Sequence, residues 1–271
     1  METIGLIAGR GNFPILFASE ARKAGYGIVA VCIKSNTRRC IRRYVNKEYW
    51  LSAAEFNRMV DIFKHDGVRK VAMAGQINPY FLFNPKIMSY PDVKDFFGKI
   101  QDRRADTIFR AFSNKLESAG LELLDSTSFL SSYMPGEGVL TKRNPSQEED
   151  KDIELGIKIA KHLGSMDIGQ SVCVRNGVIL AVEAIEGTDN AIRRAAALSR
   201  SSVVLVKAAK PSQDMRFDVP AVGLVTIKNL PGGSCLAIEA GKTLFFDLKE
   251  AVGLADRKNI AILSIQAKDF S

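Results

Sequence analysis

A chain of 271 residues with 46% hydrophobic and 25% charged side chains has the composition of a soluble globular protein, of one large domain or two ordinary ones. No stretch approaches the roughly 18 apolar residues of a membrane span, and four scattered cysteines with two histidines argue against a zinc site or a disulfide framework. The net charge of +8 suits a phosphorylated substrate or an anionic membrane surface, and no recognisable module accompanies it that would bind nucleic acid.

The opening Met1-Glu-Thr-Ile-Gly-Leu-Ile-Ala-Gly lacks the basic start and cleavage pattern of a secretory signal, so the expected compartment is the cytoplasm. Ile4 to Ala8 and Ile28 to Ile33 are short β-branched runs beside glycine and predict strands, with a helix from Pro14 to Ala24 between them. The basic stretch from Lys34 to Arg43, followed by Tyr44, Tyr49 and Trp50, reads as a solvated face, a lipid-headgroup or partner surface, or a nucleic-acid site. A helix over Ala53 to Lys64, a strand over Val68 to Ala74, a helix over Asp102 to Ala119 and a strand over Leu121 to Leu124 continue a βαβα order. That order implies a parallel sheet covered by helices. Residues 76–90 read as a long loop or short helical pieces.

Residues 133–150 are turn-rich and read as a linker between a first domain, 1–132, and a second, 151–271. The second half predicts a helix over Lys151 to His162, a hairpin turning at Arg175-Asn176-Gly177, and a helix over Asp189 to Ser199. Strands are expected at Ser202 to Ala209, Val222 to Ile227, around Phe245 and at Ile260 to Ile265, with a helix over Leu248 to Ala255. The fold class is therefore α/β in both halves. Cys32 and Cys173 lie in apolar runs and read as core. A metal would rest on carboxylates, backbone oxygens and substrate, which points to a hard ion such as magnesium.

Four segments can carry chemistry. Gly5-Leu-Ile-Ala-Gly9-Arg-Gly11-Asn12-Phe-Pro14 is a glycine turn between strand and helix, where backbone N–H groups approach a phosphate; a merely structural turn is the competing reading. The acid that would follow the second strand in a dinucleotide fold is missing, since Ile33 leads into Lys34-Ser35-Asn36, which disfavours NAD and a dehydrogenase. Glu183-Ala-Ile-Glu186-Gly187-Thr188-Asp189-Asn190 gathers carboxylates and hydroxyls at a strand end, though Thr188 or Asp189 can simply cap the next helix. Lys210-Pro-Ser-Gln-Asp214-Met-Arg216-Phe-Asp218-Val-Pro220-Ala-Val-Gly223 is longer than a turn requires. Its Asp214, Arg216 and Asp218, two apart, project to one side if extended, where they suit a metal, a water and a phosphate charge. In Arg103-Arg104-Ala105-Asp106-Thr-Ile-Phe-Arg110, Asp106 and Arg110 are spaced for a helical ion pair or for a ligand.

Taken together, Gly-Leu-Ile-Ala-Gly-x-Gly-x-x-Pro, Glu-Gly-Thr-Asp, Asp-Ile-Gly-Gln at Asp167 to Gln170 and Lys-Pro-x-Gln-x-x-Arg-x-Asp-x-Pro-x-x-Gly resemble the LpxI-type UDP-2,3-diacylglucosamine diphosphatases, in order along nearly the whole chain. The resemblance implies a cytoplasmic, Gram-negative enzyme of lipid A biosynthesis. It would hydrolyse the substrate's pyrophosphate to UMP and 2,3-diacylglucosamine 1-phosphate, by water attack on the α-phosphorus. It also implies magnesium or another divalent metal such as manganese, a Rossmann-like first domain, and substrate held between two domains. The essential aspartate falls on Asp218. Departures are Arg10 and Asn12 at positions often small, Gln76 after Ala74-Gly75 where asparagine is expected, and Asp106 as the one acid retained of two.

The expected machinery follows. Asp218 ligates the metal or aligns the water, assisted by Asp214 or Glu186. Lys210 and Arg216 balance phosphate charge. Gly9, Gly11 and Asn12 cradle uridine or pyrophosphate, with Gly75, Gln76 and Asp106 as further substrate contacts. Gly187, Thr188 and Asp189 meet the ligand from the second domain. Phe81, Leu82 and Phe83, or Phe96 and Phe97, either line an acyl groove or pack in the core. Peripheral contact with the inner membrane suits the basic surface, and a homo-oligomer is compatible with the sequence. The alternative from another class is a non-enzymatic nucleotide or sugar-nucleotide sensor.

Overall fold

The computed structural model describes residues 1–77 and 79–266. They form two compact units, one of residues 1–130 with Asp214–Phe217, the other of Ser131–Gln213 with residue 218 onward.

The first unit runs β1 (Thr3–Ala8), α1 (Phe13–Lys23), β2 (Gly27–Ile33), β3 (Lys47–Leu51), α2 (Phe56–His65), β4 (Lys70–Ala74), α3 (Pro85–Met88), α4 (Pro91–Gly98), α5 (Ala105–Ser118) and β5 (Glu122–Leu123). Its five strands are parallel in the order β3-β2-β1-β4-β5. Successive residues of a strand point to opposite faces, so each central strand supplies two cores. Ile4, Leu6, Ile28, Ala30 and Ala72 meet Phe17, Ala18 and Ala21 of α1. Ile7, Val29, Val31, Val71 and Met73 meet Met59 and Phe63 of α2, Phe96 of α4 and Leu116 of α5. Gly5 makes this possible, because a Cβ there would stand 2.8 Å from the Phe63 ring.

One element of this unit was not expected. β3 carries Lys47, Glu48, Tyr49 and Trp50 with only Leu51 buried, the pattern of an edge strand, and so lacks the apolar run that marks the others. In 76–90, of which residue 78 lies outside the described residues, the chain takes the reading of short helical pieces, a 3-10 turn at Pro79–Phe83 followed by the short α3. Phe96 is a core residue, packed 5.3 Å from the Phe56 ring, and does not line a groove, whereas Phe83 is exposed.

The second unit runs β6 (Gly138–Val139), α6 (Gln147–Ser165), β7 (Ser171–Arg175), β8 (Val178–Val182), α7 (Thr188–Ser199), β9 (Val204–Lys207), β10 (Ala221–Gly223), α8 (Leu224–Asn229), β11 (Cys235–Glu239), β12 (Leu244–Phe246), α9 (Leu248–Arg257) and β13 (Ala261–Ile265). Six strands form a mixed sheet, β6-β13-β11-β9-β7-β8, in which β13, β11 and β9 are parallel and the others pair antiparallel. α6 covers one face through Ile153, Ile157 and Ala160. Gly156 brings it close, since a Cβ would meet Val206 Cγ2 at 2.5 Å. Ile192, Ile227 and Ala251 of α7, α8 and α9 cover the other.

The start of α6 is closed by a capping box between Ser146 and Glu149, and Glu149 takes Arg143 through two bonds of 2.7 and 2.8 Å. The hairpin turns on Asn176 and Gly177, both at positive φ, with their amides donating to the buried Asp152 at 2.8 and 2.7 Å. Val222 to Ile227 is not one strand. After β10 the chain bends at Gly223, whose N–H donates to Thr226 Oγ1 at 3.3 Å, and continues as α8. Cys32, Cys173 and Cys235 are free and buried, and burial pushes the Cys32 and Cys173 thiols up to about 12.

Candidate functional site

The C-terminal ends of β9 and β11 bring buried charge to one edge of the second sheet, where open α/β sheets hold ligands. Lys207 ends β9, and its Nζ donates to Thr188 Oγ1 at 2.9 Å and Ser171 Oγ at 3.2 Å, with Glu183 Oε2 at 3.5 Å. The Thr188 hydroxyl donates in turn to Glu183 Oε1 at 2.7 Å. Burial raises the Glu183 carboxyl, but the Lys207 ammonium and the Ser171 and Thr188 hydroxyls outweigh it and hold it below the usual range. Glu239 ends β11 and accepts Lys161 Nζ at 2.6 Å and the Ala209 amide at 2.8 Å. It thereby fixes the backbone immediately before Lys210.

Lys210 is 6% exposed. Its ammonium lies against Asp167 and 3.2 Å from Asp218 Oδ2. Gln170 Nε2 donates to that same oxygen at 2.7 Å. Gln213 braces the turn, with Oε1 accepting the Lys210 amide at 2.8 Å and Nε2 donating to the Asp218 carbonyl. Asp218 thus has one oxygen doubly held, while Oδ1 has no protein partner among the described residues and its side chain stays 28% exposed. A carboxylate fixed at one oxygen and open at the other can orient a water or meet a cation without rearranging.

The remaining predicted residues divide. Asp214 and Arg216 do not project beside Asp218, because residues 215–217 form a turn rather than an extended strand. They belong with the first unit, and Asp218 with the second. Arg216 holds Asp214 through Nε at 3.0 Å and Nη2 at 2.8 Å, and also takes Glu117 of α5 at 3.0 Å. The guanidinium keeps the Asp214 carboxyl below its ordinary range. Phe217 stacks on Phe109 of α5 at 5.1 Å. Glu186 is closed in the same manner, by Arg194 at 2.6 Å. Gly187 is the N-cap of α7 at φ 82°, and no side chain caps that helix, so the capping reading of Thr188 and Asp189 fails. Thr188 instead spends its hydroxyl inward on Glu183 and Lys207, and Asp189 sits in the first helical turn.

In the first unit, Gly9 and Gly75 permit a close crossing of the loops after β1 and β4. A Cβ on Gly9 would stand 2.6 Å from the Gly75 carbonyl oxygen, and Gly75 adopts φ 84°. The Gly9 amide donates to Ala74 at 2.8 Å and the Arg10 amide to Gln76 at 2.7 Å, so the Gly9 amide is already committed. Gly11, at φ 96°, borders open space, and Asn12 Oδ1 accepts Arg38 at the N-terminus of α1. Gln76 is exposed and Asp106 opens α5. Asp167, Gln170, Lys207 and Glu239 escaped assignment from sequence, although Asp167 and Gln170 stood inside a motif already singled out.

Among the described residues, no three His, Cys, Asp or Glu side chains gather to hold a metal. The expected set of Asp218, Asp214 and Glu186 is therefore not a ligand cluster, the latter two being closed by arginines. Of the three, Asp218 alone keeps an oxygen open that suits a hard ion such as magnesium, which retains several waters and takes one or two carboxylates. No helix among the described residues is long and apolar enough to cross a membrane.

Two family models match the chain, the LpxI N-terminal domain over residues 3–133 and the LpxI C-terminal domain over residues 136–263. UDP-2,3-diacylglucosamine pyrophosphatase LpxI of Caulobacter vibrioides is 28% identical over 282 residues, covering 99% of this chain and 99% of its own. Among solved structures, UDP-glucose 4-epimerase of Thermotoga maritima with UDP-glucose has 15% identity and a TM-score of 0.29 over 54% of this chain and 42% of its own. The Bifidobacterium longum enzyme with NAD+ and UDP has 14% identity and a TM-score of 0.30 over 53% and 42%. The chain spans less than half the length of these two epimerases.

Proposed function

We propose, because the chain belongs to the LpxI family, that it hydrolyses UDP-2,3-diacylglucosamine to UMP and 2,3-diacylglucosamine 1-phosphate in lipid A biosynthesis. The observation that carries this reading is the Asp218 carboxylate, pinned at Oδ2 by Gln170 and Lys210 with Oδ1 open.

A pyrophosphate diester resists water because its anionic oxygens repel a nucleophile and its leaving phosphate needs stabilisation. Asp218 is the residue that would hold a magnesium ion brought with the substrate, and such an ion would neutralise those oxygens. The chain's own contribution is orientation. Asp218 Oδ1 accepts a hydrogen bond from the attacking water and aims it at the α-phosphorus, while Lys210 and Gln170 keep the carboxylate from turning away. Lys210, shared between Asp167 and Asp218, acts on the carboxylate rather than on phosphate, and Arg216 acts as the anchor of its loop. Within the first unit, Gly11 and Asn12 at the N-terminus of α1 offer amides and positive potential suited to a phosphate. The reaction is placed in the cytoplasm of a Gram-negative cell, and the +8 charge favours approach to an anionic leaflet.

Incubation with UDP-2,3-diacylglucosamine and magnesium is expected to release UMP, and chelation by EDTA to stop it, with activity returning on adding magnesium or manganese. Tight binding of the substrate with no UMP released would instead identify a sugar-nucleotide sensor.

A further inference from the structure

We infer that Asp167 is a positioning residue for Asp218, acting through Lys210; this rests on the reading of Asp218 given above. α6 ends in a Schellman arrangement, with the Ile168 amide donating to Leu163 and the Asp167 amide to Gly164, both at 3.1 Å. In that arrangement Asp167 occupies the left-handed position, at φ 56°. Glycine adopts this conformation freely and other residues adopt it reluctantly, so helix termination alone calls for glycine here. What the aspartate adds is its side chain, 7% exposed and paired with the Lys210 ammonium.

The surroundings are shaped for that pair. Gly164, on the last turn of α6, leaves room for Lys210, whose Cα and Cγ would lie 3.2 and 3.3 Å from a Cβ there. Lys210 therefore approaches α6 along its stem and presents Nζ to Asp167 on one side and Asp218 on the other. The charges explain the need for two carboxylates. Lys210 facing Asp218 alone would form a neutral pair and cancel the negative charge that a metal or a water must meet. With Asp167 present the three groups together carry one net negative charge, and in a site this enclosed it is weakly screened. Asp167 also holds the ammonium within reach of Asp218.

The test measures UMP release by Asp167→Asn and Asp167→Gly beside the wild type. Asparagine keeps the shape and tolerates the left-handed backbone; glycine relaxes the backbone altogether. Both are expected to lose kcat on the order of 10- to 100-fold, the usual scale for removing a group that orients a reacting one, with KM unchanged. Asp167→Gly is expected to keep or raise the urea midpoint, which separates positioning from helix termination. In a Lys210→Gln background, Asp167→Asn should cost little more, since its effect is transmitted through the lysine. Wild-type kcat in both single variants, or multiplicative losses in the double variant, overturns the role of Asp167 alone. A wild type that releases no UMP overturns the functional reading and this inference together.

Discussion

Asp218→Ala is expected to lower kcat for UMP release by at least about 10³-fold, the combined scale of losing an aligned water and a metal-facing carboxylate. Stability should hardly change. The side chain is 28% exposed, and its removal leaves Lys210 still paired with Asp167, so no buried charge is stranded. Only Gln170 Nε2 loses its acceptor, a cost of about 1 kcal/mol when water can replace it. The variant should keep its near-UV circular dichroism and still bind substrate. Asp218→Asn sharpens the result: it preserves an acceptor for Lys210 and Gln170 while deleting the charge, and is expected to lose turnover to a similar extent. Turnover close to wild type in either variant removes Asp218 from the mechanism.

Gly169→Ala is expected to destabilise the second unit by about 3 kcal/mol, the upper part of the range for forced overpacking. The Cβ would overlap the Glu183 carbonyl oxygen and stand 2.8 Å from its carbon, both backbone atoms that cannot rotate away. Glu183 is tied in turn through its own amide to Ser171 at 2.8 Å, so relief requires the start of β7 and the end of β8 to separate. Gln170 lies between Gly169 and Ser171, and its hold on Asp218 should loosen with them. A lowered urea midpoint and a lowered kcat are therefore expected in the same variant. A midpoint and a kcat both equal to wild type would show that this backbone contact has slack the structure does not display.

What was legible in the sequence follows from where the information is stored. β1, β2 and β4 announce themselves because both faces of a central parallel strand are buried, giving unbroken apolar runs. β3 stays hidden because an edge strand tolerates Lys47 and Glu48, and α8 was misread because an apolar run of six suits strand or helix equally. The loop after β9 stood out in the sequence by its charge, yet its internal wiring did not. Lys210 finds Asp167 and Asp218 finds Gln170 across 43 and 48 residues, contacts made only when β7 and β9 pair. The pairing of Asp214 with Arg216 was the opposite case: a two-residue spacing closes a turn, and the local bond engages the Asp214 carboxylate that was expected to assist at the metal. Thr188 taught a similar lesson, since a hydroxyl at a helix start is taken as a cap unless a buried lysine is known to face it.

In the proposed reaction a water oriented by Asp218 attacks the α-phosphorus of the diphosphate. Turnover of UDP-2,3-diacylglucosamine in H2(18)O, with both products examined by mass spectrometry, tests it directly. The label is predicted in UMP and absent from 2,3-diacylglucosamine 1-phosphate. Label in the acylated sugar phosphate would place the attack on the other phosphorus and overturn the proposed reaction.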